Sequence, residues 1–98
     1  YKQAAKPIVE LSLEEWNAAI NGTLTSCFLT NKYAVKLMMN NGGGSIVNTS
    51  TIISTPIFRK QNNAAYGAAK AGINQFTRIL ANEYGEQGIR ANVLLPAA

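Results

Sequence analysis

The 98-residue sequence contains no histidine and no aspartate, and Cys27 is its only cysteine. Within these residues, the missing types exclude a Ser-His-Asp triad and a histidine-based zinc site. The five acidic residues are all glutamates and are scattered, without the clustering that a divalent metal needs, so we expect no metal site. A lone cysteine cannot form an internal disulfide, which favours a reducing compartment and predicts a cytoplasmic protein. Any acid-base chemistry encoded here must therefore depend on tyrosine, lysine, glutamate or Cys27.

Long apolar runs and runs of like charge are also missing from the sequence. No apolar stretch reaches the length of a membrane span, and the first residues show no signal-peptide pattern, so we expect no membrane association. The net charge is +4, but the lysines and arginines form no basic run, which argues against nucleic-acid binding. The hydrophobic share of 47% and the charged share of 14% indicate a globular domain or part of one.

Helical signals dominate the first part of the chain. Ser-Leu-Glu-Glu at residues 12–15 is a capping-box signature, and apolar residues at helical spacing predict a helix from there toward Asn40. Asn21 and Gly22 lie inside this helix, where neither is favoured, and indicate either a break between two helices or a kink in one. The Gly-rich residues 40–44 predict a helix-to-strand turn rather than a phosphate-binding loop, because strand-like sequence follows them.

The second part of the chain predicts a strand, a helix and a strand. The first strand covers residues 45–50, the helix begins near Asn62 or Asn63 and ends near Tyr84 with Gly85 closing it, and the second strand covers residues 89–95. Two strands joined by a helix form one right-handed crossover of a parallel sheet. Two parallel strands cannot stand alone, because their faces and edges need neighbours. We therefore predict an α/β fold, represented here by a helix-strand-helix-strand fragment.

Tyr66 and Lys70 stand four residues apart in the second predicted helix. Residues at this spacing share one helix face, so the phenol and the ammonium can point at one spot. A nearby fixed positive charge favours the phenolate and makes a tyrosine a usable proton donor and acceptor. The pair alone is weak evidence for a catalytic site. The motifs that neighbour it in the sequence make the evidence specific.

Four motifs follow one another in a fixed order. They are Trp-Asn-Ala-Ala-Ile-Asn-Gly-Thr at residues 16–23, Gly-Gly-Ser-Ile-Val-Asn-Thr-Ser-Thr at 43–51, Tyr-Gly-Ala-Ala-Lys-Ala-Gly at 66–72 and Gly-Ile-Arg-Ala-Asn-Val-Leu-Leu-Pro at 88–96. This order resembles the short-chain dehydrogenase/reductase (SDR) family, and the resemblance covers residues 9–96. It implies a Rossmann-type doubly wound parallel sheet, of which residues 1–98 would form part of the NAD(P)-binding domain. The family's N-terminal Gly-rich cofactor loop and C-terminal substrate loop have no counterpart here, so we expect a fragment of a larger enzyme.

The resemblance implies hydride transfer between NAD or NADP and a small ketone, aldehyde or secondary alcohol. Tyr66 would protonate the carbonyl oxygen and act as the base in the reverse direction, and Lys70 would support Tyr66 and bind the nicotinamide ribose. Asn21 matches the family's helix Asn, whose kinked backbone holds a water that links Lys70 to solvent, and this favours a kink. Asn48 would line the cofactor site or cap its strand, and Pro96 would pack near the nicotinamide.

The sequence departs from the family at the hydroxyl that orients the substrate. The family usually has a second serine where this chain has Thr51, and the loop from there to Tyr66 is slightly longer. Counting forward from Asn48 selects Thr51, whereas counting back from Tyr66 falls nearer Ser54. Ser50 is the third candidate.

The helix that carries Tyr66 is rich in small residues, which suits close helix packing. Family members commonly pair this helix and the long first helix with those of a symmetry mate, so the resemblance implies a homodimer or homotetramer. A second functional hypothesis is a catalytically silent SDR-like protein that binds nucleotide as a sensor or structural partner. Thr51, the longer loop and Ala97 in place of a family Gly favour it mildly, and the intact Tyr66 and Lys70 oppose it.

Overall fold

The computed structural model describes residues 6–50 and 64–94. Its main elements are, in chain order, α1 (Leu13–Ile20), α2 (Ser26–Asn40), β1 (Gly44–Thr49), α3 (Ala64–Tyr84) and β2 (Ile89–Leu94). A π-helical segment (Asn21–Thr25) joins α1 to α2, and short 3-10 turns precede α1 and follow α3. The predicted order of helix, strand, helix and strand is confirmed. The predicted N-cap of α3, Asn62 or Asn63, lies outside the described residues.

Helix α1 begins at the predicted capping box. The Ser12 hydroxyl accepts a hydrogen bond from the Glu15 backbone N–H, and the Ser12 N–H donates to the Glu15 carboxylate, both at 3.0 Å. Lys6 Nζ lies 2.6 Å from the same carboxylate. The hydrogen bond from Lys6, together with that from the Ser12 backbone, lowers the pKa of Glu15 to about 2. The first helical turn therefore starts with two of its otherwise free N–H groups partnered and a negative charge near its positive end.

The helix continues through Asn21 and Gly22 without a break. These residues open the π-helical segment, in which one turn is widened, and the chain then runs on as α2 to Asn40. Leu24 of this segment packs against α3, where a Cβ added at Gly72 would lie only 2.9 Å from Leu24 Cδ2. The two residues thus do not break the helix in two, and the irregularity at this point is a widened π-helical turn.

The two strands are parallel and in simple register, with Gly44 opposite Ile89 and Thr49 opposite Leu94. Both strands begin where two glycine turns meet, and a Cβ added at Gly43 would lie 2.5 Å from the carbonyl oxygen of Gly88. Helix α3 ends at Tyr84 as predicted. The left-handed glycine that closes this end is Gly88, with φ of 81°, and not the predicted Gly85, because a 3-10 turn extends the helix before the chain reverses.

The hydrophobic core lies between the helices and the first half of the strands. One buried residue from each of four elements forms it: Val35 of α2, Ile46 of β1, Leu80 of α3 and Ile89 of β2. Leu37, on another side of α2, is 65% exposed. Helix α2 carries apolar residues on two faces, and periodicity alone does not tell which one meets the sheet.

The small residues of α3 serve packing within the chain. Ala65 and Ala69 are buried, Gly72 contacts Leu24, and α3 packs against both α1 and the π-helical segment. The small-residue face that suggested packing between subunits is thus largely used inside one copy. Across residues 6–50 and 64–94, no helix combines the length and hydropathy needed to cross a membrane.

Candidate active site

The structure brings Tyr66 and Lys70 together at the carboxyl end of β1. Both side chains project from the same face of α3, and Lys70 Nζ lies 5.5 Å from the centre of the Tyr66 ring. Lys70 Nζ also donates a hydrogen bond of 3.2 Å to the carbonyl oxygen of Thr49, the last residue of β1. The ammonium is therefore held between the tyrosine ring and the strand end.

Ser50, which follows β1, is hydrogen-bonded to α3, the helix that carries Tyr66 and Lys70. Its hydroxyl donates to the backbone carbonyl of Lys70 at 3.0 Å, and its N–H donates to the carbonyl of Leu94 at 2.9 Å. The side chain is buried and its proton is already used, so the described structure does not direct Ser50 toward a substrate. The other two candidates for the orienting hydroxyl, Thr51 and Ser54, lie outside the described residues, as do Pro96 and Ala97.

A cleft of about 470 Å³ opens beside this pair. It is lined by residues from the π-helical segment and α2, from β1 and from α3: Gly22, Thr23, Ser26, Cys27, Thr30, Asn31, Val47, Asn48, Thr49, Tyr66, Lys70 and Ile73. Thr23, Ser26 and Thr30, from the π-helical segment and α2, contribute three hydroxyl groups to the cleft wall. Hydroxyl groups can donate as well as accept hydrogen bonds. The cleft thus presents a phenol, an ammonium and a row of hydroxyls to whatever occupies it.

The Asn21 side chain does not join this group. It is exposed, accepts a hydrogen bond from the Thr25 hydroxyl at 3.2 Å and is absent from the cleft wall, whereas Gly22 and Thr23 form part of that wall. Residues two apart on a helix point in different directions, so Asn21 and Thr23 cannot both face Lys70. Thr23 is the side chain that the π-helical segment turns toward the cleft.

Asn48 lies on the cleft wall, but its amide is bonded inside the protein. Its Nδ2 donates to Asn31 Oδ1 and to the Thr77 hydroxyl, both at 2.9 Å, and its Oδ1 accepts from Asn31 Nδ2 at 3.0 Å. The strand-anchoring alternative therefore describes its side chain better than direct cofactor contact. Sequence reasoning missed Asn31 and Thr77, although each is a polar residue placed in an otherwise buried helical stripe, which is the signal that could have found them.

The Cys27 thiol also borders the cleft. Burial raises its pKa, and the positive charge of Lys70 offsets part of this rise, so the thiol stays protonated near neutral pH. The cysteine is half-buried, as expected for a small apolar residue on the inner side of a helix.

Comparison with known proteins agrees with these motifs. A family model described as enoyl-(acyl carrier protein) reductase matches residues 1–98. A short-chain dehydrogenase/reductase of Botryotinia fuckeliana is 43% identical over 91 residues, which cover 93% of this chain and 34% of the relative. The chain belongs to the SDR family.

Two further SDR similarities extend this finding. The cis-4-hydroxycyclohexanecarboxylate dehydrogenase of Sinomonas cyclohexanicum is 38% identical over 90 residues, covering 92% of this chain and 35% of the relative. The crystal structure of a short-chain dehydrogenase from Mycobacterium smegmatis superposes with a TM-score of 0.89 at 32% identity, covering 97% of this chain and 39% of that one. The Rossmann-type fold class is thereby confirmed, and the chain spans about a third of the length of the curated relatives it matches.

Proposed function

We propose that the protein containing this SDR chain is an NAD(P)-dependent oxidoreductase acting on a ketone, an aldehyde or a secondary alcohol, with Tyr66 as the general acid and base. The observation that carries the proposal is the placement of Tyr66 and Lys70 on one face of α3, with the ammonium bonded to the Thr49 carbonyl at the edge of an open cleft.

Tyr66 performs the proton transfer in this mechanism. Its hydroxyl gives a proton to the carbonyl oxygen during reduction and takes one from the alcohol during oxidation. Lys70 stabilises the phenolate that remains, because its ammonium is fixed beside the ring and cannot swing away while bonded to Thr49. An orienting hydroxyl from Thr51 or Ser54 would complete the substrate site.

The cleft residues fit a nicotinamide cofactor, which supplies or accepts the hydride when bound. Lys70 and the hydroxyls of Thr23, Ser26 and Thr30 line one space, and this mixture of donors and acceptors suits the two hydroxyls of a ribose. Lys70 and Tyr66 would hold the nicotinamide ribose, with Pro96 near the ring. NAD and NADP fit this part of the site equally well, since both carry the same nicotinamide ribose.

The assay that tests the proposal follows the absorbance of reduced nicotinamide with the full-length protein, both cofactors and a panel of substrates. The Sinomonas relative is named for a substrate with a hydroxyl on a six-membered ring, which supports starting the panel with cyclic alcohols and ketones. Tyr66→Phe removes only the hydroxyl, and we expect kcat to fall by about 100-fold or more, because positioned proton transfer contributes about that much.

Tyr33→Phe is the matched control. Tyr33 also lies near a lysine, with Lys36 Nζ 5.8 Å from its ring centre, but on the exposed face of α2 away from the cleft. We expect its kcat to stay within about twofold of wild type, since it is outside the proton path. Equal turnover in Tyr66→Phe and wild type would contradict the mechanism. Cofactor binding without turnover in both would favour the silent-sensor hypothesis.

We further propose that the protein self-associates through the outer faces of α2 and α3. A groove of about 400 Å³ runs between these helices, with Phe28 and Phe76 in edge-to-face contact at 6.3 Å on its floor. Ile79 on its rim is 47% exposed. Lys32 and Glu83 also border the groove, so a two-fold axis can place the cation of one copy near the carboxylate of the other.

A further inference from the structure

Three buried polar side chains from three different elements meet at the inner wall of the cleft. Asn31 of α2 is 4% exposed, Asn48 of β1 is 8% exposed and Thr77 of α3 is 2% exposed. Asn31 and Asn48 form a reciprocal amide pair, and Asn48 also donates to the Thr77 hydroxyl. We call these three residues the amide clamp.

Each hydrogen of the amide clamp has a defined acceptor. Asn31 Nδ2 donates to the Cys27 carbonyl at 2.9 Å as well as to Asn48 Oδ1, and the Thr77 hydroxyl donates to the Ile73 carbonyl at 2.7 Å. Turning the Asn31 amide over would place its oxygen against the Cys27 carbonyl, and Asn48 could then no longer pair with it. Only one arrangement satisfies every group, so the clamp specifies a single position of β1 between the two helices.

That position determines where the Thr49 carbonyl lies. Asn48 precedes Thr49 and is tied to α2 and α3, and Ser50 follows it and is tied to the Lys70 carbonyl. The Thr49 carbonyl is the acceptor that holds Lys70 Nζ at 3.2 Å. Thr77 lies about two turns along α3 from Lys70, so the strand end is fastened to one helix on both sides of this bond.

We propose that the amide clamp is a positioning device for the reaction: it fixes the Thr49 carbonyl, and through it the Lys70 ammonium, relative to Tyr66. This inference rests on the proposed function of Tyr66 and Lys70. The clamp acts through Thr49 and Lys70: the Asn31 and Asn48 amides are bonded to each other, and Thr77 is not among the residues that line the cleft. A role in stability alone would leave the reacting groups in place whenever the protein is folded.

The test uses the full-length protein and a matched pair of substitutions at Thr77. Thr77→Val keeps the side-chain volume and removes the acceptor of Asn48 Nδ2, whereas Thr77→Ser keeps that acceptor and removes a methyl group. We expect Thr77→Val to lower kcat by about 3- to 10-fold, the worth of one buried hydrogen bond, with the cofactor Kd changed by less than about twofold. Thr77→Ser should recover most of the kcat even though it loses packing.

Asn48→Ala removes the centre of the clamp, and we expect it to lower kcat by about 10- to 100-fold, as small displacements of reacting groups do. Adding Thr77→Val to Asn48→Ala should cost nothing further, because both act through one network. Ile89→Val is the stability control, since it shortens a fully buried side chain at the opposite end of the sheet and should leave kcat unchanged. Where Asn48→Ala does not fold, Thr77→Val decides the question, because it leaves the Asn31–Asn48 pair intact.

Crystal structures of the variants supply a readout that does not depend on turnover. We expect the separation of Lys70 Nζ and the Thr49 carbonyl oxygen to exceed hydrogen-bond range in Asn48→Ala and in Thr77→Val. An unchanged separation, or a kcat in Thr77→Val equal to that of Ile89→Val, would overturn the positioning role. If the proposed function itself is wrong, the result is different: the wild-type protein shows no turnover, or the Tyr66→Phe variant turns over normally.

Discussion

Lys70 occupies a position that requires a compact cation. The residue is half-buried, and its ammonium bonds to the Thr49 carbonyl at 3.2 Å and lies 5.5 Å from the centre of the Tyr66 ring. A guanidinium is broader and planar, and it cannot place one N–H on the carbonyl while keeping its charge at the same distance from the ring. We therefore expect Lys70→Arg to lower kcat by about tenfold or more, measured at saturating cofactor in the full-length protein.

Lys32→Arg is the control for this change. Lys32 Nζ lies 5.8 Å from the ring centre of Phe28, a similar cation-aromatic arrangement on the outer face of α2. Its substitution should change kcat by less than about twofold, because exposed cation-aromatic contacts contribute little. Wild-type turnover in Lys70→Arg would show that only the positive charge at this position matters, and not its bond to the strand.

At the residue scale, sequence reasoning works where one helix defines the geometry. The spacing of Tyr66 and Lys70 on a regular helix is enough to predict that the two side chains meet. The family resemblance selects Asn21, whose side chain is bonded to Thr25, whereas Thr23 of the same π-helical segment lines the cleft, because side-chain directions within a π-helical turn do not follow regular helical spacing. Sequence reasoning also misses Asn31 and Asn48 as partners, since they are 17 residues apart and meet only through tertiary packing.

At the scale of elements, the meeting of the two glycine turns determines how β1 and β2 begin. Gly42 and Gly43 both have positive φ, of 85° and 120°. A Cβ at Gly42 would meet nothing within 4 Å, whereas one at Gly43 would lie 2.5 Å from the Gly88 carbonyl oxygen. We expect Gly42→Ala to destabilise the protein by about 1–2 kcal/mol through backbone strain alone. Gly43→Ala should cost more, because the two strands must also move apart.

Chemical denaturation of the two full-length variants measures this difference directly. Both changes add one methyl group at a left-handed position in the same turn, so the gap between their unfolding free energies reports the contact with Gly88. Equal losses would show that the strand ends can shift apart without cost, and that the glycine contact does not hold them together.

Element boundaries follow from the sequence where a local interaction defines them. The capping box at Ser12 and Glu15 depends on residues close in the chain, and this prediction agrees with the structure. The first strand, predicted from residue 45, begins one residue earlier, at Gly44. The buried face of α2 could not be predicted in the same way. Its apolar residues cover more than one side, so the choice between Val35 and Leu37 depends on where the sheet lies.

At the scale of the whole molecule, the exposed apolar residues of α2 that border the groove become informative. Phe28 and Met39 are exposed there, and the groove that α2 forms with α3 carries both apolar and charged residues. Since the small residues of α3 already pack inside one copy, the interface that we propose between copies uses this outer face. A self-complementary contact across it would cover the exposed side chains of both helices at once.

Ile79→Lys tests this interface in the full-length protein. Ile79 lies on the rim of the groove, and a lysine there would place a charge in the proposed interface, where it loses solvent. We expect the dissociation constant for self-association, measured by sedimentation, to rise by at least about tenfold, the effect of losing one well-packed apolar anchor. Leu13→Lys makes the same change at an exposed position of α1 outside the groove and should leave association unaltered. A wild-type protein that stays monomeric at micromolar concentrations would contradict the interface, and so would equal effects of the two lysine substitutions.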